Sequence, residues 1–239
     1  QYLSRRDVEA IIKILPADSV AAGAESLIRA YGFGPIVPNT LMLGISDQKD
    51  LFTAYANLIS LVNRCRRNIV LVREKEDARE APSDIREPPP DSTTPAVDIW
   101  WRGEQHNIGF MLALAVLLQR SPRRKGLRIR IKTLVEAGAE ADALARLKSI
   151  MESGRVTAEP CVLTKVEHIP VFDQVRTSSA DADLVILGMR TPSEKDLGDT
   201  HAYAYYENLF SLTSGLPTTA LVLAAEDIRF DQMFDLRSR

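Results

Sequence analysis

Cysteine is scarce: Cys65 and Cys161 are the two in 239 residues. They lie far apart and form no C-x-x-C pair. Nothing suggests a disulfide framework, and a reducing compartment is expected. Histidine is equally sparse. His106, His168 and His201 share no H-x-x-x-H or H-E-x-x-H spacing, so no local metal motif exists. Charge of one sign is lacking too. The net charge of −2 and pI near 6.0 give no general electrostatic case for nucleic acid. Long apolar runs are missing. The longest, Ile108 to Leu118, is eleven residues with Gly109 counted, against the roughly 18–20 that a membrane span needs. Gln1–Lys13 is polar and charged, unlike a signal peptide. An initiator Met is absent, and the chain is expected to be a piece of something longer.

What is present is ordinary globular composition: 45% apolar and 26% charged. That excludes a wholly disordered chain. The length suits one or two domains. The strongest punctuation is Glu74 to Ala96, where Glu74–Asp91 holds seven acids against three bases amid prolines. Such a stretch buries too little apolar area to offset its ordering entropy and reads as a linker. It divides the chain into 1–73, 74–96 and 97–239.

Short apolar runs alternate with helical periodicities after the linker. Strands are expected at Val97–Trp101, Leu127–Leu134, Ala158–Thr164, Asp183–Gly188 and Thr218–Ala224. Helices are expected at Gln105–Gln119, Glu140–Ser153, Pro170–Ser179 and Thr200–Ser214. This order calls for a mainly parallel sheet covered by helices. Before the linker, a helix capped by Asp18 and running to Tyr31 precedes strand Thr40–Gly44, helix Lys49–Asn63 and strand Asn68–Val72. Asn39–Gly44 (NTLMLG) matches Ala182–Gly188 (ADLVILG) in form, and each leads to a helix and another strand. The chain thus carries an internal α/β repeat whose first unit is expected to lack its front part.

Several motifs together resemble one family. Pro38-Asn39-Thr40-Leu41 with Gly44 resembles the P-N-T-L-x-x-G stretch of cation–chloride cotransporters. Asp98-Ile99-Trp100-Trp101 resembles that family's D-[IVL]-W-W. An apolar helix, the bases Arg123, Arg124 and Lys125, and an Arg128-Ile129 strand follow in the family's order. The chain looks like the C-terminal cytosolic domain of a prokaryotic member. The resemblance implies two tandem units of universal-stress-protein type on the cytoplasmic side of a membrane. It also implies a homodimer that helps regulate or assemble a transporter, whose ion path lies in a separate membrane domain. The segment after Trp101, Gly103-Glu104-Gln105-His106-Asn107-Ile108-Gly109, departs from the acidic D-G-G-like turn of eukaryotic members.

The alternative is a soluble nucleotide-binding stress-type protein. A phosphate-cradling loop of the form G-x-x-G-x9-G-[ST] would mark it. After Gly188 the chain reads Met-Arg-Thr-Pro-Ser-Glu-Lys-Asp-Leu-Gly, and after Gly44 no glycine follows closely. Gly44 and Gly188 are expected simply to let the chain turn. No cofactor is expected. No G-x-S-x-G elbow occurs, and no acid–base pair clusters locally, so the chain reads as non-catalytic; an enzyme working at the sheet's switch point is the third reading. Cys65 beside Arg64, Arg66 and Arg67 is either a thiol of lowered pKa or simply near a helix C-terminus that favours cations.

Arg120 to Lys132 holds seven bases and no acid. Leu127–Lys132 alternates apolar and basic, which a central strand covered on both faces should not do. The strand is therefore near an edge, or its charged face meets acidic partners. Arg123, Arg124, Lys125, Arg128, Arg130 and Lys132 either form a solvated face or are the candidate contacts to anionic lipid headgroups or acidic segments. The almost uniformly apolar helix Ile108–Leu118 is expected to pack on more than one side. Trp100 and Trp101 should point to opposite faces of their strand.

Overall fold

In the computed structural model the described residues are 14–30, 38–46, 48, 51–75, 94–104, 106–124, 126–192 and 200–226. The chain divides into two compact units, Gln1–Val37 and Pro38–Arg239. The first contributes helix α1 (Val20–Ala30). Its N-cap is Ser19, whose Oγ accepts the Ala22 N–H at 3.1 Å, one residue beyond the expected Asp18. A capping hydroxyl there satisfies an amide that the helix itself leaves unpaired.

The second unit runs β1 (Thr40–Gly44), α2 (Phe52–Arg64), β2 (Asn68–Arg73), β3 (Ala96–Trp100) and α3 (Ile108–Gln119). It continues β4 (Arg128–Val135), α4 (Glu140–Gly154), β5 (Glu159–Thr164), α5 (Val171–Ser178), β6 (Leu184–Gly188), α6 (Thr200–Leu212) and β7 (Thr219–Leu223). The strands form one seven-stranded sheet in the order β1-β2-β7-β6-β3-β4-β5. Every neighbouring pair is parallel except β2 with β7. The α/β class is as expected. Two tandem units imply two sheets, but here the strands of both halves join in a single sheet. Pairing β2 with β7 removes two exposed ladders at once. Most of the 74–96 linker lies outside the described residues.

Alternation along the strands sorts the core into two layers. On one face Val70, Val97, Ile99, Ile129, Ile131, Ile186, Ala220 and Val222 pack with Met111, Leu112 and Ala115 of α3 and Leu147 of α4. On the other, Ile69, Leu71, Leu221 and Leu223 are buried, as are Ile59 and Val62 of α2 and Tyr206 and Phe210 of α6. Val70 of the first half belongs to the same apolar cluster as helix α3, and Leu117 on that helix remains 67% exposed. The tryptophans divide as expected. Trp101 joins the α3 layer, whereas the Trp100 indole donates to Ser179 Oγ at 2.9 Å just past α5.

The repeat seen in the sequence is a local two-fold. Leu71 pairs with Leu221 at its centre, flanked by Val70 with Val222 and Val72 with Ala220. The amides just beyond both first strands hydrogen-bond alike, Ile45 to the Val72 carbonyl and Met189 to the Val222 carbonyl. At the sheet's seam the exchange is reciprocal. The Ala225 N–H donates to Asn68 Oδ1 at 2.8 Å, and the Lys75 N–H to Thr218 Oγ1 at 3.4 Å. Above the seam α2 meets α6, with Phe52 and Phe210 edge to face at 5.2 Å.

Candidate functional site

The strand β1–α2 and β6–α6 junctions share one device. The Tyr55 hydroxyl accepts the Ser46 N–H at 3.0 Å and donates to the Gly44 carbonyl at 2.7 Å; the Tyr205 hydroxyl accepts the Arg190 N–H at 2.9 Å. Each tyrosine thus ties its helix to the chain leaving the preceding strand. Gly44 and Gly188 each end a strand, and neither has a positive φ. Gly188 is required for space: a Cβ there would stand 2.9 Å from the Asn107 amide nitrogen. Asn107 is buried and bridges two strand ends, donating to the Met189 carbonyl at 2.7 Å and accepting the Ala224 N–H at 2.9 Å. A Cβ on Gly44 would meet nothing closer than the Val72 carbonyl at 4.0 Å.

Strands β3 and β4 carry a buried ionic cluster. Asp98 and Arg130 face one another in register, as do Trp100 and Lys132. Alternation puts all four on the sheet face opposite α3. Asp98 is fully buried, with the Arg130 Nε at 2.5 Å from Oδ1 and the Lys132 ammonium at 2.9 Å from Oδ2. Arg130 also forks onto Asp181 at 2.7 and 2.9 Å. Lys132 donates to the Ser178 carbonyl and, at 3.1 Å, to the Ser178 hydroxyl. A cation at the C-terminus of α5 meets the negative end of the helix dipole. The Asp181 hydrogen bonds, against the opposing effect of burial, and then Asp98 hold the Arg130 guanidinium above its ordinary pKa. Arg130 in turn holds the Asp181 carboxyl below its own.

Beyond Trp100, toward the C-terminal ends of the strands, a cavity of about 480 Å³ opens between α5 and α6. Its wall includes Trp100, Trp101, Leu134, Phe172, Leu187 and Tyr205. Arg102, Glu136 and Lys165 also line it; Lys165 pairs with Glu136 at 2.8 Å, and the Arg190 guanidinium stacks 4.7 Å from the Tyr205 ring centre. The cavity stands where β3 and β6 are neighbours. The chain goes outward from β3 to β4 and β5, then returns to β6 and β7. This is the topological switch point at which open α/β sheets hold ligands.

The motif residues separate into three places. Asn39 and Thr40 lie where β1 begins to pair with β2, where the Asn68 N–H donates to the Asn39 carbonyl at 2.7 Å and the Thr40 hydroxyl to Asn39 Oδ1 at 2.9 Å. Pro38 and Leu41 flank them on the approach to β1 and within it. Gly44 ends β1, and Asp98, Trp100 and Trp101 serve the cluster and cavity. The charged face of the basic strand meets acids, as one of the expected alternatives had it, but they are Asp98 and Asp181 of the same chain, and lipid contact by Arg130 and Lys132 is corrected. Arg130 and Lys132 are 9% and 4% exposed and cannot reach lipid. Their alternation marks an ionic layer with Asp98 inside the fold, not a wet face. Arg128 is half exposed, 3.8 Å from Glu159. Arg124 is exposed; Lys125 and the Arg123 side chain lie outside what is described. Cys65 sits at the C-cap of α2. Burial pushes the Cys161 thiol upward, opposed by Lys132 and Arg130, which disfavours a reactive thiolate there. The cavity itself escaped sequence reasoning. Its residues come from four strand ends and two helices, and the adjacent tryptophans were the one local signal.

No family model matches the chain. It is 22% identical to Cation-chloride cotransporter 1 of Oryza sativa subsp. japonica over 189 residues, 76% of this chain and 18% of that protein. To Cation-chloride cotransporter 2 of the same organism it is 23% identical over 170 residues, 68% of this chain and 16% of that protein. The chain therefore spans less than a fifth of the length of these relatives. Its fold is that of the crystal structure of the cytoplasmic domain of a prokaryotic cation chloride cotransporter. The TM-score is 0.59 at 14% identity, covering 91% of this chain and 74% of that one.

Proposed function

We propose that this chain is a cytoplasmic regulatory and dimerisation domain of a cation–chloride cotransporter, and that it is not itself a catalyst. The observation that carries the reading is the two-fold α/β repeat. The fold that contains it is similar to that of the solved cytoplasmic domain across 91% of the chain, and the stretches resembling the family's P-N-T-L and D-I-W-W motifs lie on the approach to β1 and at the end of β3. The parent would couple sodium or potassium to chloride in membrane helices; among the described residues of this chain none is long and apolar enough to cross a membrane. The domain would act by packing: a shift between subunits biases the transport equilibrium only through a difference in free energy between its states.

Two measurements test this. Sedimentation equilibrium of the isolated chain should give a dimer at micromolar concentration; a monomer at all concentrations removes the dimerisation role. Chloride-dependent rubidium uptake by the full-length parent in proteoliposomes should change when Asp98→Asn loosens the ionic cluster. Uptake equal to that of the unaltered parent, with the domain shown to be perturbed by proteolysis, removes the regulatory role.

A further inference from the structure

We propose that the cavity between α5 and α6 is a binding site for a small aromatic organic anion. This does not rest on the transporter reading.

Three features point to it. The first is size and position: about 480 Å³ lies within the range of cofactor and drug sites, and switch-point crevices are where such sites form. The second is the wall. Trp100, Phe172 and Tyr205 line it with aromatic side chains against which a planar body can stack. Two apolar residues of the wall, Val171 and Leu212, stay 44% and 37% exposed. Side chains of this kind left wet in an otherwise buried layer form an apolar mouth.

The third feature is charge. Arg102 lines the cavity with no ion-pair partner among the described residues, and Lys165 adds a second cation against the single acid Glu136. Among the described lining residues the cations exceed the acids by one, which favours one anionic group; a guanidinium recognises such a group best as a carboxylate or sulfonate. A polyphosphate is disfavoured. The chain leaving β6 reads Met189-Arg190-Thr191-Pro192, without the glycines that let backbone amides cradle phosphate. Gly188 itself is filled against by Asn107.

The chain's two tryptophans both line this cavity, so intrinsic emission reports on it directly. Titration with 2-naphthoate should change tryptophan emission saturably and raise the thermal midpoint. The uncharged 2-naphthamide should bind at least about tenfold more weakly, and so should Arg102→Gln toward naphthoate; that corresponds to the loss of one charge-assisted contact. Val171→Glu and Leu212→Glu place a carboxylate at the mouth, at positions exposed enough for the fold to tolerate it. Either should abolish the response while far-ultraviolet circular dichroism is unchanged. Emission unmoved by naphthoate overturns the site. A response that survives both mouth variants places binding elsewhere and overturns it as well. Equal affinity for the amide overturns the anion class, and displacement of naphthoate by an equal concentration of ATP overturns the choice of a carboxylate over a phosphate.

Discussion

The two βαβ units, β1–α2–β2 and β6–α6–β7, are near copies with different neighbours. Both end a strand in glycine, both pin the next segment with a tyrosine, and they meet at Leu71 and Leu221. The second is flanked by β3, β4, β5 and α5; in the first, β1 is the end of the sheet order, and Met42 on it is 63% exposed. The difference teaches what a repeat supplies and what its surroundings add. The shared part is a seam that holds the halves together. Among the described residues, the cluster and cavity described here lie where β3, β4 and α5 cover the second copy.

The largest expected effect tests that one-sidedness. Asp98→Asn leaves Arg130 and Lys132 buried without their anion and should cost about 3–5 kcal/mol in urea unfolding. A loss near zero would mean that water reaches the cluster. The shared seam is tested next. Leu71 and Leu221 are both at most 1% exposed. Each truncated to Ala should lose about 2–5 kcal/mol, and by similar amounts. Unequal losses would show that the two halves do not unfold as one core.

Glycine gives the sharpest contrast between the copies. Gly188→Ala pushes on the Asn107 amide and should cost about 1–3 kcal/mol, because two buried hydrogen bonds are disturbed. Gly44→Ala meets open space and should be neutral, or gain up to about 1 kcal/mol from a stiffer unfolded chain. Equal effects would refute the packing account of Gly188. Tyr55→Phe removes two hydrogen bonds and Tyr205→Phe one. Losses of about 0.5–1.5 kcal/mol per bond are expected in thermal unfolding, with Tyr55 the larger.

The smallest effect is that of pH. The Asp181 carboxyl titrates below its ordinary range in the folded state because Arg130 binds its charged form. Its contribution is complete above the ordinary carboxylate pKa and fades as pH falls toward the depressed one. Since Asp181 is largely exposed, Asp181→Asn should remove only a shallow part of the acid slope of stability. An unchanged slope would mean that the fork onto Arg130 is not held in solution.

Much of the fold was legible in the residues. Strand Thr40–Gly44 falls where its apolar run predicts, and Val171–Ser178 and Leu184–Gly188 fall within a residue of expectation. These elements carry their own periodicity and breakers, which are local properties. The basic strand was misread in part, because alternation reports which residues share a face and not what covers it. Arg130 and Lys132 on one side of β4 look the same in sequence whether water or Asp98 lies opposite. The partner is 32 residues away from Arg130 in the chain, and only parallel pairing of β3 with β4 brings it into register.

By itself the sequence determined the order of strands and helices, the repeat, and the places of the two motifs along the chain. Those follow from hydrophobic period and turn chemistry, which act within a dozen residues. Tertiary structure decided that both halves share one sheet, that Gly188 yields space to Asn107, and that two tryptophans, a helix start and a helix middle enclose a cavity. Each of these depends on which surfaces meet once loops have closed, and no local pattern encodes the far side of a contact.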